Sequence, residues 1–155
     1  MTDYTRERDA ARRYGFARPR PKLPLMPEAD GVQPARSVVD RLGIRPNVRV
    51  ALVGVSDAHL PGLVAERTKK ITKMVPHEPV DMLIYQAEGA FALQRVAELA
   101  RAVSRDGALW VLWPKSQENI KQSHVYRAGT AAGLVDVKIA SISERLSGME
   151  FVHRR

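Results

Sequence analysis

Val48-Arg49-Val50-Ala51-Leu52-Val53-Gly54-Val55-Ser56-Asp57 is the stretch on which the fold turns. Residues 49–53, a short apolar run, read as the first strand of a Rossmann-like sheet, running into its first turn. A turn that admits a phosphate or an adenosine usually holds several glycines, because a glycine backbone can approach a ligand closely. Here Gly54 stands alone, followed by Val, Ser, Asp, Ala and His. The strand is legible and the usual ligand fingerprint is not.

Downstream, strand and helix signals alternate. Residues 60–70 read as a helix with Leu60, Leu63 and Val64 on one face, and residues 71–75 as a short strand. Pro76-His77-Glu78-Pro79 is a loop fixed by two prolines. Asp81-Met82-Leu83-Ile84-Tyr85-Gln86 is a second buried strand. Residues 91–103 carry Leu93, Val96, Ala97, Ala100 and Val103 at helical spacing. Asp106-Gly107 reads as a tight turn into a third buried strand, residues 108–113. A helix over residues 119–132 closes at Gly133, and strands 135–143 and 149–153 form an antiparallel hairpin turning at Ser147-Gly148. This order implies a three-layer α/β sheet of Rossmann-like type, mostly parallel with a C-terminal antiparallel hairpin strand. Strands 49–53, 81–86 and 108–113 should be adjacent, with 149–153 inserted between 108–113 and 135–143.

Upstream, Ser37 caps a short helix, Val38-Val39-Asp40-Arg41-Leu42, closed by Gly43. Residues 1–35 read as a separate arm: a helix over 3–14, then Arg18-Pro19-Arg20-Pro21-Lys22-Leu23-Pro24-Leu25-Met26-Pro27, which must be extended. The arm is basic and proline-rich, so it cannot fold alone. Tyr4, Tyr14, Phe16, Leu23, Leu25 and Met26 supply apolar anchors. The expectation is docking on protein, as a strap or as an exchanged arm in self-association, with nucleic acid a secondary partner. The domain proper would be residues 36–155.

Asp106-Gly107-Ala108-Leu109-Trp110-Val111, Pro114-Lys115 and Ala132-Gly133-Leu134-Val135-Asp136-Val137 resemble the second half of a class I methyltransferase sheet. With Leu42-Gly43-Ile44-Arg45-Pro46 and the terminal Ser147-Gly148 and Phe151-Val152, the chain is similar over residues 36–155 to a bacterial family of short Rossmann-like proteins of unknown function. It departs from that family at Leu146, where members often carry Trp. The resemblance implies three requirements for methyl transfer: glycines after strand one, a carboxylate after strand two to hold a ribose, and a substrate-facing residue after the 81–86 strand. Only the last is evidently met, by Gln86 and Glu88; beyond strand two only Glu78 is available.

Composition bounds the remaining readings. The chain has 155 residues, no cysteine and a net charge of +8. No apolar run approaches the about 18–20 residues of a membrane span. Without cysteine there are no disulfides or thiolate metal sites, which fits a cytoplasmic protein. The excess charge divides evenly between residues 1–47 and 48–155, as expected of solvated faces. His59, His77, His124 and His153 do not pair at helical spacing, so no metal is expected. Ser56, Asp57 and His59 are too close in sequence for a triad assembled across a fold, so no catalytic residue is assigned.

The candidate ligand-binding residues are Gly54, Ser56, Asp57 and His59 after strand one, Gln86 after the second buried strand, and Trp113 and Lys115 at the end of the third. Arg67, Lys69, Lys70 and Lys73 are candidates for anion or nucleic-acid contact, without the interleaved aromatics that single-stranded nucleic acid favours. The sequence thus points to a non-catalytic, degenerate methyltransferase-like module that binds a protein partner or an anionic ligand, needing no cofactor and no membrane. The alternatives are an enzyme using S-adenosylmethionine or a nucleotide, and a nucleic-acid-binding protein working through its basic arm.

Overall fold

Three central strands, every one flanked by apolar side chains of both parities, decide the layering of the computed structural model, which describes residues 37–154. The expected helix and proline-rich strap of residues 1–35 lie outside the described residues. In chain order the elements are α1 (Val38–Leu42), β1 (Val50–Val53), α2 (Leu60–Ala65), β2 (Ile71–Thr72) and β3 (Val80–Gln86). A 3₁₀ helix (Ala90–Arg95) then runs into α3 (Val96–Ala100), followed by β4 (Val103–Pro114), α4 (Gln122–Ala131), β5 (Leu134–Ser141) and β6 (Leu146–His153). They form one six-stranded sheet in the order β2-β1-β3-β4-β6-β5. β2, β1, β3 and β4 are parallel, and β6 runs antiparallel between β4 and β5. The expected adjacency and the inserted antiparallel strand are both present.

Residue parity sorts the core. Val50, Leu52, Met82, Ile84, Trp110 and Leu112 face α1 and α2. Ala51, Val53, Leu83, Tyr85, Leu109, Val111 and Trp113 face α3 and α4. Trp110 and Trp113 thus lie on opposite faces, as their spacing requires. Trp110 is fully buried, and its Nε1–H donates to Leu42 O at 3.0 Å, fixing the end of α1 to the sheet. On the other face Gly129 lies against Phe151: a Cβ at 129 would fall 2.0 Å from the ring.

Several elements depart from the sequence reading, each for a local reason. The 60–70 helix stops at Ala65, because Thr68 leaves the helix to donate from Oγ1 to Val48 O at 2.6 Å. Arg67 also turns away, donating to Ile44 O at 2.7 Å and pairing with Asp40 at 2.6 Å. The strand expected at 71–75 is only Ile71–Thr72. The single helix expected over 91–103 is a 3₁₀ turn followed by α3. Tyr85 Oη–H donates to Ala92 O at 2.8 Å, and Val96 N–H bonds to Leu93 O instead. Burial raises the Tyr85 pKa, partly opposed by Arg95 above its ring. Ala97, expected on the apolar face, is exposed while Leu99 is buried.

The helix expected over 119–132 begins at Gln122 and ends at Ala131. Asp106-Gly107 is no turn but part of β4, at a bulge where the pairing with β3 passes from Val80–Val103 to Met82–Ala108. Gly107 is needed there because a Cβ would stand 2.6 Å from Asp81 O. The hairpin turns at residues 142–145, not at Ser147-Gly148. Ser143 Oγ accepts from Arg145 N–H and Leu146 N–H, at 3.2 and 3.1 Å. Ser147 and Gly148 lie within β6, opposite Trp113 and Leu112. No helix among the described residues is long and apolar enough to cross a membrane.

Gly129→Ala should lower unfolding free energy by at least about 2 kcal/mol in urea titrations, despite alanine's better helix propensity, because the methyl group overlaps Phe151. The loss should be smaller in a Phe151→Leu background, as a double-mutant cycle would reveal.

Glu150 sits in β6 opposite Trp110 on one side and Lys138 on the other. Burial raises its pKa, opposed by Lys138. Between the ordinary carboxylate range and this raised value, the folded state keeps a proton that the unfolded chain releases. Stability therefore falls as pH rises through that window and stays lower above it. Glu150→Gln should be more stable than the parent at pH 7, with the difference closing below about pH 4; urea titrations across pH test this.

Candidate functional site

The order β2-β1-β3 creates a switch point. From β1 the chain crosses through α2 to β2 on one side, and β3 takes the other side of β1. The helices after β1 and β3 pack on opposite faces, so a crevice opens between their C-terminal ends. Gly54 begins the turn there with φ +68°, a conformation that favours glycine for backbone reasons alone.

A side chain of β3 spans this crevice. Gln86, 7% exposed, accepts at Oε1 from Ser56 N–H at 3.1 Å and donates from Nε2 to Ser56 Oγ at 2.9 Å. Nε2 also donates to Glu88 Oε2. The amide thus serves both the backbone N–H and the hydroxyl of the β1 turn. Asp57 is likewise occupied: Oδ1 accepts from His59 N–H at 2.8 Å and Leu60 N–H at 2.9 Å, capping α2. His59 is exposed at the start of α2 and makes no side-chain cap.

Beyond this clamp lies a cleft of about 830 Å³. It is walled by the β1 turn, the ends of β3 and β4, and the 142–145 hairpin turn. Ser56, Asp57, His59 and Gln86 line it together. Gly54, Trp113 and Lys115 do not. Trp113 is 5% exposed and packs in the core beneath α3 and α4. Lys115 is exposed and braces the hairpin, donating from Nζ to Ser141 Oγ at 2.7 Å and from N–H to Arg145 O at 2.8 Å.

Gln117, Ser143, Glu144 and Arg145 line the cleft without a sequence signal that points to them, and Ser116, next to Lys115 past the β4 strand, lines it too. Ser143 continues an apolar strand pattern in the sequence, and the Ser147-Gly148 pair mimics a turn, which masks the wall that residues 143–145 form. Glu88, expected with Gln86 to face a substrate, also lines the cleft. The lining holds three carboxylates, Asp57, Glu88 and Glu144, against the guanidinium of Arg145 and the imidazole of His59, so the cleft has no anion-attracting excess of cations.

The basic cluster is not assembled at this cleft. Arg67 is committed to Ile44 O and Asp40, while Lys69 and Lys70 precede β2 at the opposite end of the parallel strands. Lys73 follows β2 on the cleft end. Beyond β2, Lys73 and Met74 stand next in the chain, and Glu78 comes only where the chain has returned toward the start of β3. Among the described residues no group of three or more His, Asp or Glu side chains is placed to hold a metal ion.

Gln86→Ala should lower unfolding free energy by about 1 kcal/mol, because the buried amide's bonds that tie the N–H and hydroxyl of the exposed Ser56 to β3 are lost. Ser56→Ala, which keeps that N–H bond, should cost less; urea titration of both variants measures the difference.

No protein-family model matches the chain, and no curated protein matches it by sequence. Solved structures do match in fold. A magnesium protoporphyrin IX methyltransferase from Synechocystis PCC 6803, solved with bound SAH, superposes with a TM-score of 0.58 at 14% identity, covering 99% of this chain and 100% of that one. A TehB-like SAM-dependent methyltransferase from Corynebacterium glutamicum gives 0.55 at 10% identity, over 98% and 100% of the two chains. A SAM-dependent methyltransferase from Aquifex aeolicus gives 0.53 at 16% identity, over 74% and 86%. At such identities the likeness establishes the fold alone: the chain has a Rossmann-like methyltransferase fold.

Proposed function

We propose that this chain is a non-catalytic, degenerate methyltransferase-like module that uses its cleft to bind a protein partner. The observation that carries the reading is the Gln86 clamp. In a nucleotide-binding α/β protein, the turn after the first strand offers backbone N–H groups to the ligand. Here Ser56 N–H is already held at 3.1 Å by a side chain of the same domain. S-adenosylmethionine, which the fold implies, does not fit these residues well. The turn has the single glycine Gly54, and the residues directly after β2 are Lys73 and Met74 rather than a carboxylate. No step of methyl transfer is therefore derived for this chain.

The charge of the cleft supports a protein partner over an anionic ligand. Asp57, Glu88 and Glu144 would repel a phosphorylated or carboxylated small molecule, whereas a polar, hydrogen-bonding protein segment can satisfy Ser116, Gln117 and Ser143. The rival reading, an enzyme that uses S-adenosylmethionine or a nucleotide, draws its support from the shared fold.

Titration calorimetry with S-adenosylmethionine decides between them. The module reading expects a Kd weaker than about 1 mM, equivalent to less than about 4 kcal/mol of binding free energy. A micromolar Kd would overturn it and make Gly54, Asp57 and Gln86 the first residues to substitute.

A further inference from the structure

The loops leading into β1 and β2 lie side by side at the end of the sheet opposite the cleft. Asn47 N–H donates to Arg67 O at 3.4 Å, and Val50 N–H to Lys70 O at 2.9 Å. Thr68, 3% exposed, pins the second loop. Its Oγ1 donates to Val48 O at 2.6 Å and accepts from Lys70 N–H at 3.1 Å. The turn is thus built around a buried hydroxyl, and the side chains flanking it, Lys69 and Lys70, are exposed. Arg45 and Arg49 are exposed on the facing loop, with Arg49 partly engaged by Asp81 at 3.6 Å.

The same end of the sheet collects further cations. Arg101 and Arg105 are exposed where β4 begins, and Arg154 is exposed just past β6, whose antiparallel course brings its end to this edge. The acids here are Asp81, paired with Arg49, Asp40, paired with Arg67, and Glu66, Glu78, Asp106 and Asp136, the last near the start of β5 opposite Phe151. From β2 to β6 the edge crosses four inter-strand steps, about 19 Å. Duplex nucleic acid presents five or six phosphates per strand in about that length. Cations far apart in the sequence are thus brought by the topology to one edge, beside the acids named.

We propose that this edge binds the phosphate backbone of duplex nucleic acid without sequence preference, with Lys69 and Lys70 as the leading contacts. The described aromatic side chain that is strongly exposed, Phe91, lies beyond the other end of β3, so the described residues of this edge offer no platform for stacking unpaired bases. Phosphate contacts alone fit a duplex. Arg67 is excluded by its bonds to Ile44 and Asp40, and Lys73 by its place past β2. The proposal is independent of what occupies the cleft.

The test is fluorescence anisotropy of the full chain with a labelled duplex of arbitrary sequence, about one or two turns long, over a salt series of about 50–200 mM. The expected result is a linear loss of log affinity with log salt. Lys69→Gln/Lys70→Gln should weaken binding at least about tenfold and flatten the slope by about 1.8, two phosphates' worth. Lys121→Gln, at the other end of the fold, should change the slope by much less than one. Matched thermal melts of the double variant would establish that its fold is intact. Absence of duplex binding at about 50 mM salt would overturn the proposal. So would an unchanged slope in the double variant, which would place binding away from Lys69 and Lys70, or binding to phosphatidylserine vesicles in place of duplex.

Discussion

Two-sided burial of β1, β3 and β4 is the constraint from which the rest follows. A strand with apolar residues of both parities must be covered on both faces, and only crossovers that alternate faces can do it. α1 and α2 cover one side, α3 and α4 the other. The change of face between the helix after β1 and the helix after β3 leaves a gap at the C-terminal ends of the two strands. A crevice at that point is thus a by-product of packing, present whether or not a ligand uses it.

What the chain does with the crevice depends on one polar side chain. Gln86 is buried, and a buried amide must find partners. It finds them in Ser56 and Glu88, within the domain itself. The cleft around them is lined mostly by groups at loops and strand ends: the β1 turn, the end of β4 and the 142–145 hairpin. Loop-built recognition surfaces vary readily while the scaffold beneath them stays fixed. A fold common among enzymes can in this way carry a surface unrelated to their chemistry.

The architecture was legible because burial leaves a periodic record. The apolar runs at 49–53, 81–86 and 108–113 could be nothing but central strands, and the terminal pair placed β6 correctly between β4 and β5. Element ends were less legible, since distant partners set them. Thr68 ends α2 by reaching Val48, and Tyr85 diverts Ala92 O so that a 3₁₀ turn replaces helix. At the site, Ser56, Asp57, His59 and Gln86 were recognisable from their place after strands. Arg145 and its neighbours were not, because the Ser-Gly pair resembled a turn while the actual turn rests on the hydroxyl of Ser143. Gly148 is instead a packing glycine: a Cβ there would meet Leu112 at 2.8 Å.

The two outer strands differ in length but share a property. β2 contributes two residues, and β5 is interrupted by a bulge between Asp136 and Lys138. Unpaired backbone along a sheet border is a template on which other chains can add strands, and it is dangerous in proportion to its unbroken length. One border is here too short to act as such a template, and the other is bent out of register partway along. For a sheet whose interior strands are among the most apolar in the chain, this shapes behaviour during folding as well as afterwards: strands that meet in the wrong order find little straight edge to hold them.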